Sequence, residues 1–199
     1  MINLLITILL FSGIIILFKF FEKYKVDNLQ ALIVNYTVAG ILGSSFSKVS
    51  IDLSIIDKPW FLHAALIGFL FIVVFNFYAF GTQKVGIAIS TVANKMSLVI
   101  PVIVSLYLYH NDTLTIAKGI GLAFALVGII LASLKDGGLG FKKNYIWIIL
   151  AIFIGQGIAD ALFADAQINH VHPRDNSLFF VVLFFFAAIT GIIMLTGKS

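Results

Sequence analysis

The sequence predicts an all-α polytopic membrane protein with about seven transmembrane helices. Three observations carry that prediction. The 199 residues are 61% hydrophobic and 11% charged, with a mean hydropathy of +1.10. A soluble domain is nearer about 45–50% apolar and about 25% charged, and no packing of a soluble chain this size hides so much apolar surface. Apolar runs of about 20 residues also recur, each long enough for a roughly 30 Å hydrocarbon core. Finally, the connections between runs are short, so neighbouring helices run antiparallel.

The first run, Ile2–Phe21, has no basic residue before it. Lys19, Glu22, Lys23 and Lys25 stand at or after its end, with no small-x-small site there. It reads as a retained helix rather than a signal peptide. The second run is Leu29–Phe46 and carries Asn35. The third, Trp60–Phe80, carries Asn76, which shares a helical face with Gln83. The fourth, Val85–Tyr109, contains Lys95 and Pro101. Leu114–Leu134, Tyr145–Asp165 and Leu178–Thr196 complete the series. The longest connections are Ser47–Pro59 and Lys135–Asn144. In the latter, Asp136-Gly137-Gly138 and Gly140 make a turn-rich break.

That break divides the chain into a five-helix unit over 1–134, a linker over 135–144 and the start of a second, incomplete unit over 145–199. Ser12-Gly13 in the first unit has a weak counterpart in Gln156-Gly157 of the second, each followed by a polar connection, at Asn28 and Asn176. An odd number of helices per unit makes two such units inverted in the membrane. The chain therefore reads as part, or a shortened relative, of a protein of about ten helices in inverted repeats.

There are no cysteines, which excludes disulfides and Cys-based metal sites. The net charge of +4 is small and sits at segment ends, as membrane topology requires and nucleic-acid binding does not. Lys23, Lys25, Lys84, Lys135, Lys142, Lys143 and Lys198 fall on one side. Lys48, Lys58 and Arg174 fall on the other, with Lys118 just inside a helix. The positive-inside rule puts the first set in the cytoplasm and the amino terminus outside.

Lys95 is the most informative residue. An ionisable side chain at membrane depth costs roughly 2.5–3.5 kcal/mol on insertion scales, so it is expected to be used. Asp160 poses the same problem in the sixth run. It follows Gln156 by one turn on the same face, and its carboxylate could carry a proton or neutralise Lys95. Ser90, Asn94, Ser97 and Pro101 share one face of the fourth run, with Thr91 and Lys95 beside it. Pro101 cannot donate to the Ser97 carbonyl, which loosens or kinks the helix there and would leave a free carbonyl in a cavity wall. Helix packing is the simpler role for Ser90, Thr91 and Ser97. Asn35 and Asn76 suit either interhelical hydrogen bonding or a cavity. Lys19 can snorkel to the headgroups.

His63 follows Trp60 at an interface and needs no special role. His170 and His172 fall in a connection, where a metal site would need further ligands. No metal and no cofactor is assigned. No phosphate-cradling loop, zinc-helix motif or nucleophile elbow is present, so no enzyme is predicted.

Gly86-Ile-Ala-Ile-Ser-Thr-Val-Ala-Asn-Lys-Met-Ser-Leu-Val-Ile-Pro101 resembles the fourth helix of EamA-type members of the drug/metabolite transporter superfamily. Thr113-Leu-Thr, Lys118-Gly-Ile-Gly121 and Ala125-Leu-Val-Gly-Ile-Ile130 extend the likeness. So does the hairpin from Phe18-Lys19 to Asn35-Tyr36. The acidic turn departs from the pattern: His110-Asn111-Asp112 replaces Gly-Glu. The resemblance implies about ten helices in two inverted repeats, cytoplasmic termini and a central substrate cavity. It also implies that Lys19, Asn76, Lys95 and Asp160 approach that cavity. The last three helices are missing from the pattern, and the loop charges favour the opposite orientation.

The expectation is a plasma (inner) membrane exporter or permease for a small metabolite, working by alternating access. Lys95, Asp160, Asn76, Asn94, Lys19, Asn35 and Gln156 are its candidate cavity residues, and Pro101 its helix kink. Its expected partners are the lipid bilayer, a small-molecule substrate and protons as candidate coupling ion, with no nucleic acid. The alternatives are a homodimeric small exporter and a non-transporting membrane subunit, the latter with Lys95 and Asp160 as a structural ion pair.

Overall fold

The computed structural model describes residues 2–47, 52–108, 115–117, 119–121, 123–124, 127 and 143–197. All regular structure among them is helical. The helices are α1 (Ile2–Lys23), α2 (Asn28–Phe46), α3 (Phe61–Lys84), α4 (Ile87–Met96), α5 (Val99–Leu108), α6 (Ile146–Asp165) and α7 (Asn176–Thr196). Single 3-10 turns occupy Leu53–Asp57, Lys143–Tyr145 and Pro173–Asp175, and a π turn occupies Ala166–His170. Six spans among the described residues are long and apolar enough to cross a membrane. The expected fifth span, Leu114–Leu134, lies largely outside the described residues, as do most of the linker over 135–144 and Lys48, Lys118, Lys135, Lys142 and Lys198.

The expected fourth span is two helices rather than one. The α-helix ends at Met96 and resumes at Val99. Pro101, inside α5, has no N–H for the Ser97 carbonyl. That carbonyl is nevertheless not free, because the Ile100 N–H donates to it at 2.9 Å. A short-range bond thus replaces the one proline removes, and the expected open carbonyl is absent.

Local chemistry sets the helix ends. Lys25 sits at φ 55° after α1. The Val26 N–H reaches the Phe21 carbonyl at 2.9 Å and the Lys25 N–H reaches Glu22 at 3.3 Å, the pattern of a Schellman cap. Asp27 then caps α2 by accepting from the Gln30 N–H at 2.9 Å. Gly86, at φ +114°, lets the chain reverse into α4 where a side chain would be strained.

Helices α3 and α7 form the centre. About 44% of each apolar window is buried, against 11% for α1, which faces outward. Small residues let backbones approach, as membrane helices require in place of a hydrophobic drive. A Cβ built on Gly68 of α3 would lie 2.5 Å from the Leu183 carbonyl oxygen of α7. Gly40 of α2 seats Phe185 of α7 in the same way. On the other side of α3, α6 lies across α4 and α5. Its Gly155 receives Val74, and its Gly157 receives Ile100. Aromatic contacts fill the remaining space. Phe18 meets Phe75 and Tyr78 edge-on, and Tyr36 stacks on Phe184.

Polar locks hold both ends of the bundle. At the α3 C-terminus, Gln83 donates to Asn28 Oδ1 at 2.8 Å and to the Phe18 carbonyl at 3.0 Å. Lys84 pairs with Glu22 at 3.4 Å. At the opposite end, Asp175 accepts from the buried Trp60 indole at 3.2 Å and from Lys58 at 3.1 Å. Each lock joins connections that the alternating topology places on one face of the membrane.

Candidate functional site

The polar residues at membrane depth gather where α4 crosses α1 and α6. Lys95 is the last basic residue of α4, and the break after Met96 follows it directly. Its ammonium lies 4.4 Å from the centroid of the Phe11 ring of α1, over the ring face. Ring quadrupoles attract a cation there, most strongly where water is excluded. Asn94 beside it is buried, at 7% exposure. Thr91 and Tyr78 share a hydrogen bond of 3.1 Å that ties α4 to α3.

Across from α4, Gln156 and Asp160 lie one turn apart on α6. The Gln156 amide donates to Asp160 Oδ1 at 2.9 Å. Asp160 is half-buried and close enough to Lys95 to feel its charge, yet the two form no direct ion pair. The Gln156 carbonyl oxygen and the Ser90 hydroxyl are buried without a protein partner. Such groups are costly in an apolar setting and suit bound water or a polar ligand. The arrangement therefore offers a cation, a carboxylate and unengaged polar atoms within one part of the bundle.

Other candidates lie elsewhere. Lys19, which the resemblance assigns to the cavity, instead donates to Glu22 at 3.0 Å and to the Gln83 carbonyl at 3.2 Å. It is exposed at the end of α1, where a long side chain reaches the interface at little cost. Asn35 lines a different cavity, of about 220 Å³, between α1, α2, α3 and α7. Phe18, Phe75 and Phe184 make its walls apolar. Asn76 is half-buried on α3.

The structure also assembles a group at the far end of α3 that joins distant parts of the sequence. His63 Nε2 lies 3.1 Å from Asp165 Oδ2, and His170 Nε2 lies 3.6 Å from the same oxygen. The two imidazoles stack with centroids 4.4 Å apart. Asp165 and His170 are five positions apart, which an α-helix would set about 140° from one another. The π turn brings them together, closed by a Val171 N–H to Ala166 carbonyl bond of 2.8 Å. Only the His-rich connection after α6 hinted at this group in the sequence.

The EamA-like transporter family matches residues 1–134. A protein of Haemophilus influenzae, described as uncharacterized, is 27% identical over 171 residues, covering 81% of this chain and 57% of that protein. The chain thus spans little more than half the length of the curated relative it matches. No solved structure matches it. Six apolar membrane-length spans among the described residues and a family match over most of the chain's length lead to one conclusion: this multi-pass membrane protein belongs to the EamA-like transporter family.

Proposed function

We propose that the protein moves a small anionic or zwitterionic metabolite across the plasma membrane by alternating access, as an exporter or permease. The observation that carries this reading is the state of Lys95. Its charge lies within a membrane span, over the Phe11 ring, and is not directly paired with a carboxylate. A purely structural lysine at that depth would be expected to hold its counter-ion closely. Lys95 therefore acts as the positive site for a substrate carboxylate or phosphate. Asp160, held by Gln156, is the nearby counter-charge and the candidate carrier for a coupled proton.

The break between α4 and α5 supports movement at this point. A helix interrupted beside a proline bends at lower cost than a continuous one. The arrangement of 1–134 as one repeat and 145–199 as the start of its inverted counterpart would place the site between units. Two copies of the chain could complete such a pathway as a homodimer. The rival reading, a non-transporting subunit with a structural Lys95–Asp160 pair, is disfavoured by the absence of a direct ion pair between the two side chains.

Replacing Lys95 with Met tests the proposal. Flux in cells should be abolished while the amount of protein inserted in the membrane stays the same. Unchanged flux at equal insertion would overturn the role given to Lys95.

A further inference from the structure

We propose that His63, Asp165 and His170 form a binding site for one divalent transition-metal cation of the zinc type. The site lies at the α3 N-terminal end, opposite the end that holds Gln83. The helical rise from His63 to Gln83 separates the two ends by about 30 Å.

Geometry carries the proposal. A tetrahedral zinc with bonds of about 2.0–2.2 Å sets its ligand atoms about 3.3–3.6 Å apart. The two nitrogen-to-oxygen separations here are 3.1 and 3.6 Å, and all three candidate ligand atoms lie within 4.8 Å of one another. Ligand chemistry points the same way. Two imidazoles and one carboxylate suit zinc and its neighbours, whereas calcium and magnesium take oxygen ligands almost throughout.

The surroundings resemble a supported site rather than a chance encounter. The other carboxylate oxygen, Asp165 Oδ1, accepts from the Asn169 amide at 2.8 Å. Such outer contacts fix a ligating carboxylate in orientation. The π turn that brings His170 back onto Asp165 is a rare local choice, and such turns occur frequently at functional sites. All three side chains are partly shielded, with exposures of 21%, 28% and 34%, and so remain reachable from solvent. A bound cation would pin the end of α6 to the start of α3.

Titration of tag-free protein, purified in mild detergent from its native reading frame, with cobalt(II) and zinc(II) tests the site. One equivalent should bind, with the visible absorption of four-coordinate cobalt. His63→Ala and His170→Ala should each weaken binding by at least about tenfold, and Asn169→Ala by about tenfold. His172→Ala should leave it unchanged. X-ray absorption of the zinc-loaded wild type provides a reading that needs no variant, and should show two imidazole nitrogens. Absence of stoichiometric binding, a shell of oxygen alone, or equal binding by the His63 and His170 variants would each overturn the proposal.

Discussion

The Lys95 ammonium lies 4.4 Å from the Phe11 ring centroid and forms no direct ion pair with the Asp160 carboxylate. An aromatic face holds a cation without neutralising it, so the charge stays available to a ligand. Replacing Phe11 with Leu keeps an apolar side chain and removes the quadrupole. If Lys95 is the anion site of the proposed function, the loss of about 0.5–2 kcal/mol of positioning at the lysine corresponds to roughly twofold to thirtyfold weaker substrate affinity. Concentration dependence of flux in proteoliposomes checks it, with membrane insertion unchanged.

Asp175 joins Lys58 and Trp60 at the opposite end of the bundle. Trp60 is fully buried, so loss of the Asp175 carboxylate strands its indole N–H. Asp175→Ala should destabilise the protein by about 1–3 kcal/mol. Asp175→Asn keeps an acceptor and should cost less, because the more exposed Lys58 pairing contributes little. Thermal unfolding in detergent should order the melting temperatures as wild type, then Asn, then Ala.

Gly68 sets the distance between the two central helices. A Cβ there would meet the Leu183 carbonyl oxygen, a backbone atom that cannot rotate away. Gly68→Ala should therefore push α3 from α7 and cost about 1–3 kcal/mol. Gly13→Ala on the outward-facing α1 meets nothing within 4 Å and should be neutral or slightly stabilising. Comparing the two variants by thermal unfolding separates packing from helix propensity.

Lys25 occupies the left-handed position of the α1 cap, at φ 55°, where glycine has no steric cost. Lys25→Gly should stabilise the native state by up to about 1 kcal/mol, since the positive φ is relieved while the cap bonds persist. A raised melting temperature with unchanged helicity by circular dichroism is the expected result.

Much of the fold is legible in the sequence because lipid imposes a simple rule. Any run of about 20 apolar residues must form a helix to satisfy its backbone. That rule locates α1, α2, α3, α6 and α7. The break between Met96 and Val99 also has a visible cause in Pro101, but the capture of the Ser97 carbonyl by Ile100 does not. That local rearrangement depends on backbone angles that residue identity leaves open.

The candidate site residues are legible one at a time rather than as a group. Lys95, Asp160 and Gln156 stand out through the cost of polarity at depth. Lys19 carries the same charge, but its place near a helix end lets it reach Glu22 and the Gln83 carbonyl instead. The grouping of His63 with Asp165 and His170 was hidden for a geometric reason. Helical spacing separates Asp165 from His170, and only the π turn reverses that. Contact between α3 and the end of α6 is likewise a tertiary fact, with no trace in local pattern.

The most direct test of the central claim is ligand binding to purified wild type and Lys95→Met, read as thermal stabilisation by a panel of small carboxylic acids, phosphates, amino acids and amines. On the reading that Lys95 is the anion site, at least one acid, phosphate or amino acid stabilises the wild type and this shift vanishes in Lys95→Met. A stabilising acid or amino acid that shifts both proteins equally, or stabilisation by amines alone, would contradict it.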